Sequence, residues 1–168
     1  MFYLLHLLTV TAIQIPTILG YNFVLGKGKI LHFGHVGTGI VAAYSITITL
    51  QSTGSWWMAG LVGAACVALT SAIFAWMALK LEADGFGILS IAVHLALLAV
   101  VLTATELTRG ALGIPGVTRM PGLESNTVFA VVTILVAAAF VVLSAKINAS
   151  SFGRSLQALS EHRNHAES

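Results

Sequence analysis

Two histidines three residues apart, His32 and His35, have a spacing that would put both imidazoles on one face of a helix as metal ligands. No carboxylate or third ligand stands near them, so metal binding is not expected. His6 and His94 lie in two different apolar runs. A polar ring in such a run either makes a structural hydrogen bond to another helix or lines a solute path. Glu106 and Arg109, spaced i, i+3, predict an ion pair at a helix end. Gly-Lys-Gly-Lys at 26–29 lacks the spacing of a phosphate-binding loop. Cys66, the one cysteine, sits in an apolar run as a small hydrophobe, with no internal disulfide or thiolate cluster open to it. No nucleophile, base and acid converge, so no catalytic residue, metal or cofactor is expected and the chain is not read as an enzyme.

The elements that position these groups follow from composition. Of 168 residues, 57% are hydrophobic and 8% charged, and the mean hydropathy is +0.94. A soluble domain carries about a quarter of its residues as charges, so this is an all-α integral membrane protein. The net charge of +2 is too small to suggest nucleic acid. At 1.5 Å per residue, about 20 apolar residues cross a ~30 Å hydrocarbon core. About five transmembrane helices result, over Phe2 to Gly20, Gly34 to Leu50, Trp56 to Leu79, Ile88 to Thr105 and Thr127 to Ala145. The second is short and rich in glycine and threonine, which suits close helix contact or a tilted or re-entrant path. The first lacks a basic leader and a cleavage site, and is read as retained. Gln14 and Pro16 interrupt it, and the backbone carbonyls this frees either face a cavity at a kink or are satisfied by neighbouring helices. Five crossings place Lys27, Lys29, Lys80, Lys146, Arg154 and Arg163 on one side and Arg109 and Arg119 on the other. The positive-inside rule then puts the N-terminus outside and the C-terminus in the cytoplasm, in a bilayer whose outer belt includes Trp56 and Trp57.

Three connections carry signals of their own. Residues 21–39 hold Gly26, Gly28, Gly34, Gly37 and Gly39, a broken backbone able to approach other helices closely. The segment at 80–87 is a tight turn. The outer segment at 106–125 has Gly-Ile-Pro-Gly and Met-Pro-Gly turns and is expected to be ordered. After a transmembrane domain at 1–145, residues 146–168 form a polar tail. Phe152, Leu156 and Leu159 make one apolar stripe there, among Arg154, Gln157, Glu161 and Arg163. Ser150 or Ser151 can cap the helix. Such a helix lies on the membrane surface, docks into a partner's groove, or is a solvated tail.

The tail resembles the cytoplasmic coupling segment of permease subunits in branched-chain amino-acid ABC importers, at Gly153, Arg154, Leu156, Ala158, Leu159, Glu161, Ala166 and Glu167. Two further segments are similar to that family in the same order: Gly34, His35, Ala43 and Tyr44, and then Leu107, Thr108, Gly110, Gly113, Ile114 and Gly116. The Ala-Glu ending and the Gly-Ile-Pro-Gly loop favour the LivM-like type. Lys27, Lys29 and His32 depart from the small polar residues usual around the Gly-His pair. Gln157 and Ser160 depart from basic or aliphatic positions in the coupling segment. Family members continue through several more helices, so the chain is expected to correspond to the first half to two-thirds of a permease.

The resemblance implies a multi-pass subunit of the bacterial inner membrane that passes branched-chain amino acids or related small polar solutes. Its implied partners are a second permease subunit, two cytoplasmic ATPase subunits and a periplasmic solute-binding protein. Phe152, Gly153, Arg154, Leu156, Leu159 and Glu161 would engage the ATPase, and Gly34, His35, Tyr44 and His94 would line the path or pack helices. The alternative is a membrane scaffold or assembly subunit, or a truncated relic of a permease.

Overall fold

A computed structural model describes residues 2–162, with side chains described for 3–156. Its elements in chain order are α1 (Phe2–Tyr21), a π-helical turn (Asn22–Lys27), α2 (His35–Thr53), α3 (Trp56–Lys80), α4 (Ala83–Thr103), a one-turn α5 (Thr105–Thr108) with a 3-10 turn (Gly110–Leu112), α6 (Asn126–Ala149) and α7 (Ser151–His162). The protein is an all-helical membrane protein. Four stretches are long and apolar enough to cross a bilayer: Tyr3–Lys27, Trp56–Lys80, Ala83–Thr103 and Asn126–Ala149. α2 has 19 residues, enough in length, but its glycines, threonines and Gln51 leave it less apolar than the others.

The chain divides into two compact units, Met1–Ile30 with Arg119–Ser168, and Leu31–Thr118. In the first unit α1 packs along α6. α6 buries Ala130, Ala137 and Ser144, seven residues apart, and α1 buries Thr9 and Ala12. Small residues in such a stripe let two helix backbones approach where lipid supplies no hydrophobic drive. The Thr9 hydroxyl donates back to the Leu5 carbonyl at 2.8 Å, which satisfies it inside the apolar contact. α1 runs unbroken through Pro16 and opens into the wider π turn, where the Gly28 N–H reaches the Phe23 carbonyl at 3.0 Å.

The direction of this pair constrains the crossings. The first half of α1 and the first turn of α6 line one cavity, while the π turn at the far end of α1 meets α7 beyond the far end of α6. The two helices are therefore parallel. Parallel spans in one membrane need an odd number of crossings between them, and the long helices available are α2, α3 and α4. α2, long enough but less apolar than the other three, packs on α3 and α4.

In the second unit α2 and α3 form a hairpin closed by Gly54, whose φ of 66° is left-handed and whose N–H reaches the Leu50 carbonyl at 2.8 Å. Ser55 caps α3 by accepting from the Met58 N–H at 3.4 Å. α4 packs on both helices. Gly63 of α3 lies against Ile46 of α2, with no room for a side chain between them. The expected turn at 80–87 shrinks to Leu81 and Glu82. α4 already starts at Ala83, because Asp84 in the first turn complements the positive end of the helix.

Candidate functional site

Two groups of expected site residues fall in different units. The first is the corner between α6 and α7. α6 runs past Lys146 to Ala149, and Ser150 turns the chain with extended geometry, φ −76° and ψ 168°. The Ser150 hydroxyl donates to the Ile147 carbonyl at 2.6 Å, and its oxygen accepts from the Gly153 N–H at 3.4 Å. Of the two serines considered as caps, Ser150 makes the contact. The Arg154 guanidinium turns back to the Ala149 carbonyl at 2.6 Å, and its backbone N–H meets the Ser150 carbonyl at 3.2 Å. Lone carbonyls at the end of α6 thus find donors within the corner itself.

Gly153 is the reason the turn can be so sharp. A Cβ there would lie 2.5 Å from the Ile147 carbonyl oxygen and 2.7 Å from that of Asn148. Both are backbone atoms of α6 and have little freedom to yield. Gly153 is buried, Phe152 is 65% exposed and Leu156 is half-buried. The stripe on α7 therefore keeps an open apolar end while its helix is tied to α6 and touches the π turn. Leu159 and Glu161 lie on the same helix, where their side chains are outside the description. Arg163, Ala166 and Glu167 fall outside the described residues.

The second group surrounds the start of α2. Gly34 precedes the helix, and a Cβ on it would collide with the Phe74 ring and come within 2.9 Å of His32 Cε1. His32 stands edge-on to Phe74, with centroids 4.7 Å apart, and stacks on Phe86 at 5.4 Å. Burial holds the His32 pKa below its ordinary value, with a further push from His35. His35 opens α2, and its carbonyl accepts the Thr38 hydroxyl at 2.6 Å.

One turn on, Gly37 is buried against α4. A Cβ there would meet Leu97 Cδ1 at 3.0 Å, the His94 Cα at 3.4 Å and His94 Nδ1 at 3.5 Å. His94 Nδ1 is buried with no hydrogen-bond partner among the described residues. Gly34, His35 and His94 are thus brought to the first turns of α2. Tyr44 is apart from them, nine residues or about 13 Å along the helix. It shares a small cavity with Ala43, Thr47 and Ile114.

One residue at this site escaped sequence reasoning. Ser90 is fully buried, and its oxygen accepts the Phe33 N–H at 3.0 Å while its hydroxyl donates to the Gly87 carbonyl at 2.8 Å. It pins the segment before α2 onto α4. Its signal was its place four residues before His94, a polar pair on one face of an apolar helix. Gly37 repeats Gly34 at a spacing of three, and that was visible in the glycine-dense run.

The segment at 106–125 corrects one expectation. Glu106 and Arg109 form no ion pair, because α5 stops at Thr108 and Arg109 takes a left-handed φ of 60°, which removes it from the i, i+3 face. The expected order of the turns is seen locally. Met120 accepts from the Leu123 N–H at 2.9 Å around Pro121 and Gly122, with φ 88° at the glycine. The Gln51 side chain donates to the Pro115 carbonyl at 3.1 Å, holding the Gly-Ile-Pro-Gly turn on α2.

Among the described residues no three His, Cys, Asp or Glu side chains gather as metal ligands, so the His32 and His35 spacing is not part of such a cluster. A family model described as the permease component of branched-chain amino acid transport systems matches residues 3–168. No curated protein and no solved structure matches the chain.

Proposed function

The chain belongs to the permease-component family of branched-chain amino acid transport systems, and we propose that it is a transmembrane subunit of an ABC importer in which α7 is the coupling helix. The 168 residues hold no phosphate loop of the Gly-x-x-x-x-Gly-Lys kind. On this reading two cytoplasmic ATPase subunits hydrolyse ATP, a second permease subunit completes the pore and a periplasmic binding protein delivers the solute. The bacterial inner membrane is its location, with the N-terminus outside and residues 146–168 in the cytoplasm, in line with the charge asymmetry of the loops.

The observation that carries the proposal is the α6–α7 corner. A lever must be firmly joined to the element it moves and must still offer a face to what pushes it. The Ser150, Gly153 and Arg154 contacts supply the joint, and the exposed Phe152 supplies the face. Movement of the ATPases would be passed through α7 to α6 and to its parallel neighbour α1, tilting spans between outward-open and inward-open states. The solute class is branched-chain amino acids or related small polar molecules. Gly34, His35, Tyr44 and His94 are the candidate path or packing residues, since His94 keeps a polar atom unsatisfied beside α2.

The test is recovery of candidate ATPase subunits with detergent-solubilised wild-type and Leu156→Asp protein. Burying a leucine is worth about 1.5–3 kcal/mol, and a stranded carboxylate costs more, so the variant should lose about tenfold or more in ATPase affinity while still inserting. Equal recovery would remove the coupling role and favour a scaffold that does not transport.

A further inference from the structure

The first unit holds a cavity of about 170 Å³ between the opening turns of α1 and the start of α6. Its wall changes character along its length. His6, Arg119 and Asn126 contribute polar groups, and Leu5, Ile13 and Phe129 contribute apolar surface. The guanidinium of Arg119 is fixed from two sides. Its Nη1 donates to the Glu124 carbonyl at 3.0 Å and to Asn126 Oδ1 at 2.7 Å, and its Cζ lies 4.7 Å from the centre of the Phe129 ring. A guanidinium has five N–H donors, and these bonds use one nitrogen. The donors on Nε and Nη2 have no protein acceptor, and no carboxylate pairs with Arg119 among the described residues.

We propose that this cavity is a site for an anionic phospholipid, with the headgroup phosphate on Arg119 and an acyl chain along α1. Three features select that occupant. The site opens at the ends of two parallel spans, the level at which headgroups sit. From Leu5 to Ile13 the α1 wall runs eight residues, about 12 Å, into the hydrocarbon layer, which gives a chain somewhere to lie. A planar guanidinium offers two parallel donors to a phosphate, and a fixed one does so without first giving up its own freedom. An amino-acid zwitterion fits less well. Its ammonium needs an acceptor such as a carboxylate, and no Asp or Glu lines this cavity among the described residues. The same lack disfavours a headgroup that carries its own ammonium. The site stands apart from the coupling corner and does not depend on the transport reading.

Native mass spectrometry of the full chain in detergent, titrated with phosphatidylglycerol, tests this. The wild type should keep a lipid adduct that Arg119→Gln weakens about tenfold or more, the loss expected for a charged hydrogen-bonding group. Arg109→Gln, which removes the other outer arginine, should keep it. Equal adducts in wild type and Arg119→Gln overturn the proposal, as does phosphatidylcholine binding as well as phosphatidylglycerol. Displacement of the adduct by millimolar inorganic phosphate also overturns it, since the acyl chain would then contribute nothing. If Arg119→Gln cannot be purified, Ile13→Trp blocks the apolar end with Arg119 intact; loss of the adduct there supports the site and full retention refutes it.

Discussion

Replacing Gly153 with alanine adds one methyl group where the structure leaves no room for it. The new Cβ would lie 2.5 Å from one carbonyl oxygen of α6 and 2.7 Å from the next, roughly an ångström inside ordinary contact. Neither oxygen belongs to a side chain that can swing away, so the corner must open. Forced overpacking of this sort costs about 1–3 kcal/mol. At 1.4 kcal/mol per factor of ten, a middle value near 2 kcal/mol shifts the equilibrium between closed and open corner about 30-fold. The hydrogen bonds that report on it are the Gly153 N–H to Ser150 Oγ and the Arg154 N–H to the Ser150 carbonyl. Hydrogen exchange at residues 153 and 154 should therefore speed up by one to two orders of magnitude, and trypsin should cut faster after Arg154. Ser155→Ala, at an exposed position one residue further on, is the control and should change neither. ATPase recovery should fall with Gly153→Ala although the apolar stripe is untouched. Exchange and cleavage at wild-type rates would show that the corner has slack, and the account of α7 as a rigid lever would be wrong.

Gly34→Leu should destabilise the second unit by about 1–3 kcal/mol, because the side chain must displace a buried Phe74 ring; a shift in thermal unfolding measures it, and an unchanged midpoint would mean that the segment moves aside. His32 has a folded-state pKa below its ordinary value near 6.5, chiefly from burial and then from His35. The unfolded chain takes up its proton first, so this contribution to stability is complete above pH 6.5 and is lost as pH falls towards the folded pKa. Thermal unfolding should drop between pH 7.5 and 5.5 in the wild type and less so in His32→Gln. For orientation, cysteine probes belong at Val117 and Ser155, both exposed, since Gly116 has a left-handed φ of 78° and Gly153 has no space. In a chain lacking Cys66, Val117→Cys should label from outside and Ser155→Cys from inside; labelling of both from one side would refute five crossings.

The helices were legible because the bilayer imposes its thickness on uncharged runs, and α3 was readable almost to the residue. Their ends were less so. Lys146 looked like a stop, yet a lysine near a helix end can bury its stem and keep its charge in water, so α6 runs on to Ala149. The glycines at 34 and 153 stood out by position, and the structure supplies the reason each is needed: an aromatic ring in one case, two carbonyl oxygens in the other. Ser90 was legible only as a polar residue one turn before His94, since its partner, the Phe33 N–H, is 57 residues away. Arg119 was legible as a charge in a loop between spans, but its fixed and partly unused guanidinium depends on Phe129 and Asn126, which no spacing rule connects to it. The Glu106 and Arg109 pair failed because helical spacing says nothing once the helix has ended between them.

The parallel pairing of α1 with α6 also sets an order of birth. α1 leaves the ribosome first, while the start of its partner, Asn126, lies more than a hundred residues later. At roughly 5–20 residues per second, α1 waits between about 5 and 20 s with Thr9 and Ala12 unmatched. The hairpin of α2 and α3 needs no such delay, since its two helices are sequence neighbours, and α4 follows α3 after only Leu81 and Glu82. The second unit therefore matures before the first is complete. During that interval the face of α1 is available to any helix in the translocation machinery that can offer small residues. A nascent chain stalled before Asn126 should leave a Thr9→Cys probe open to crosslinking, and release of the full chain should close it.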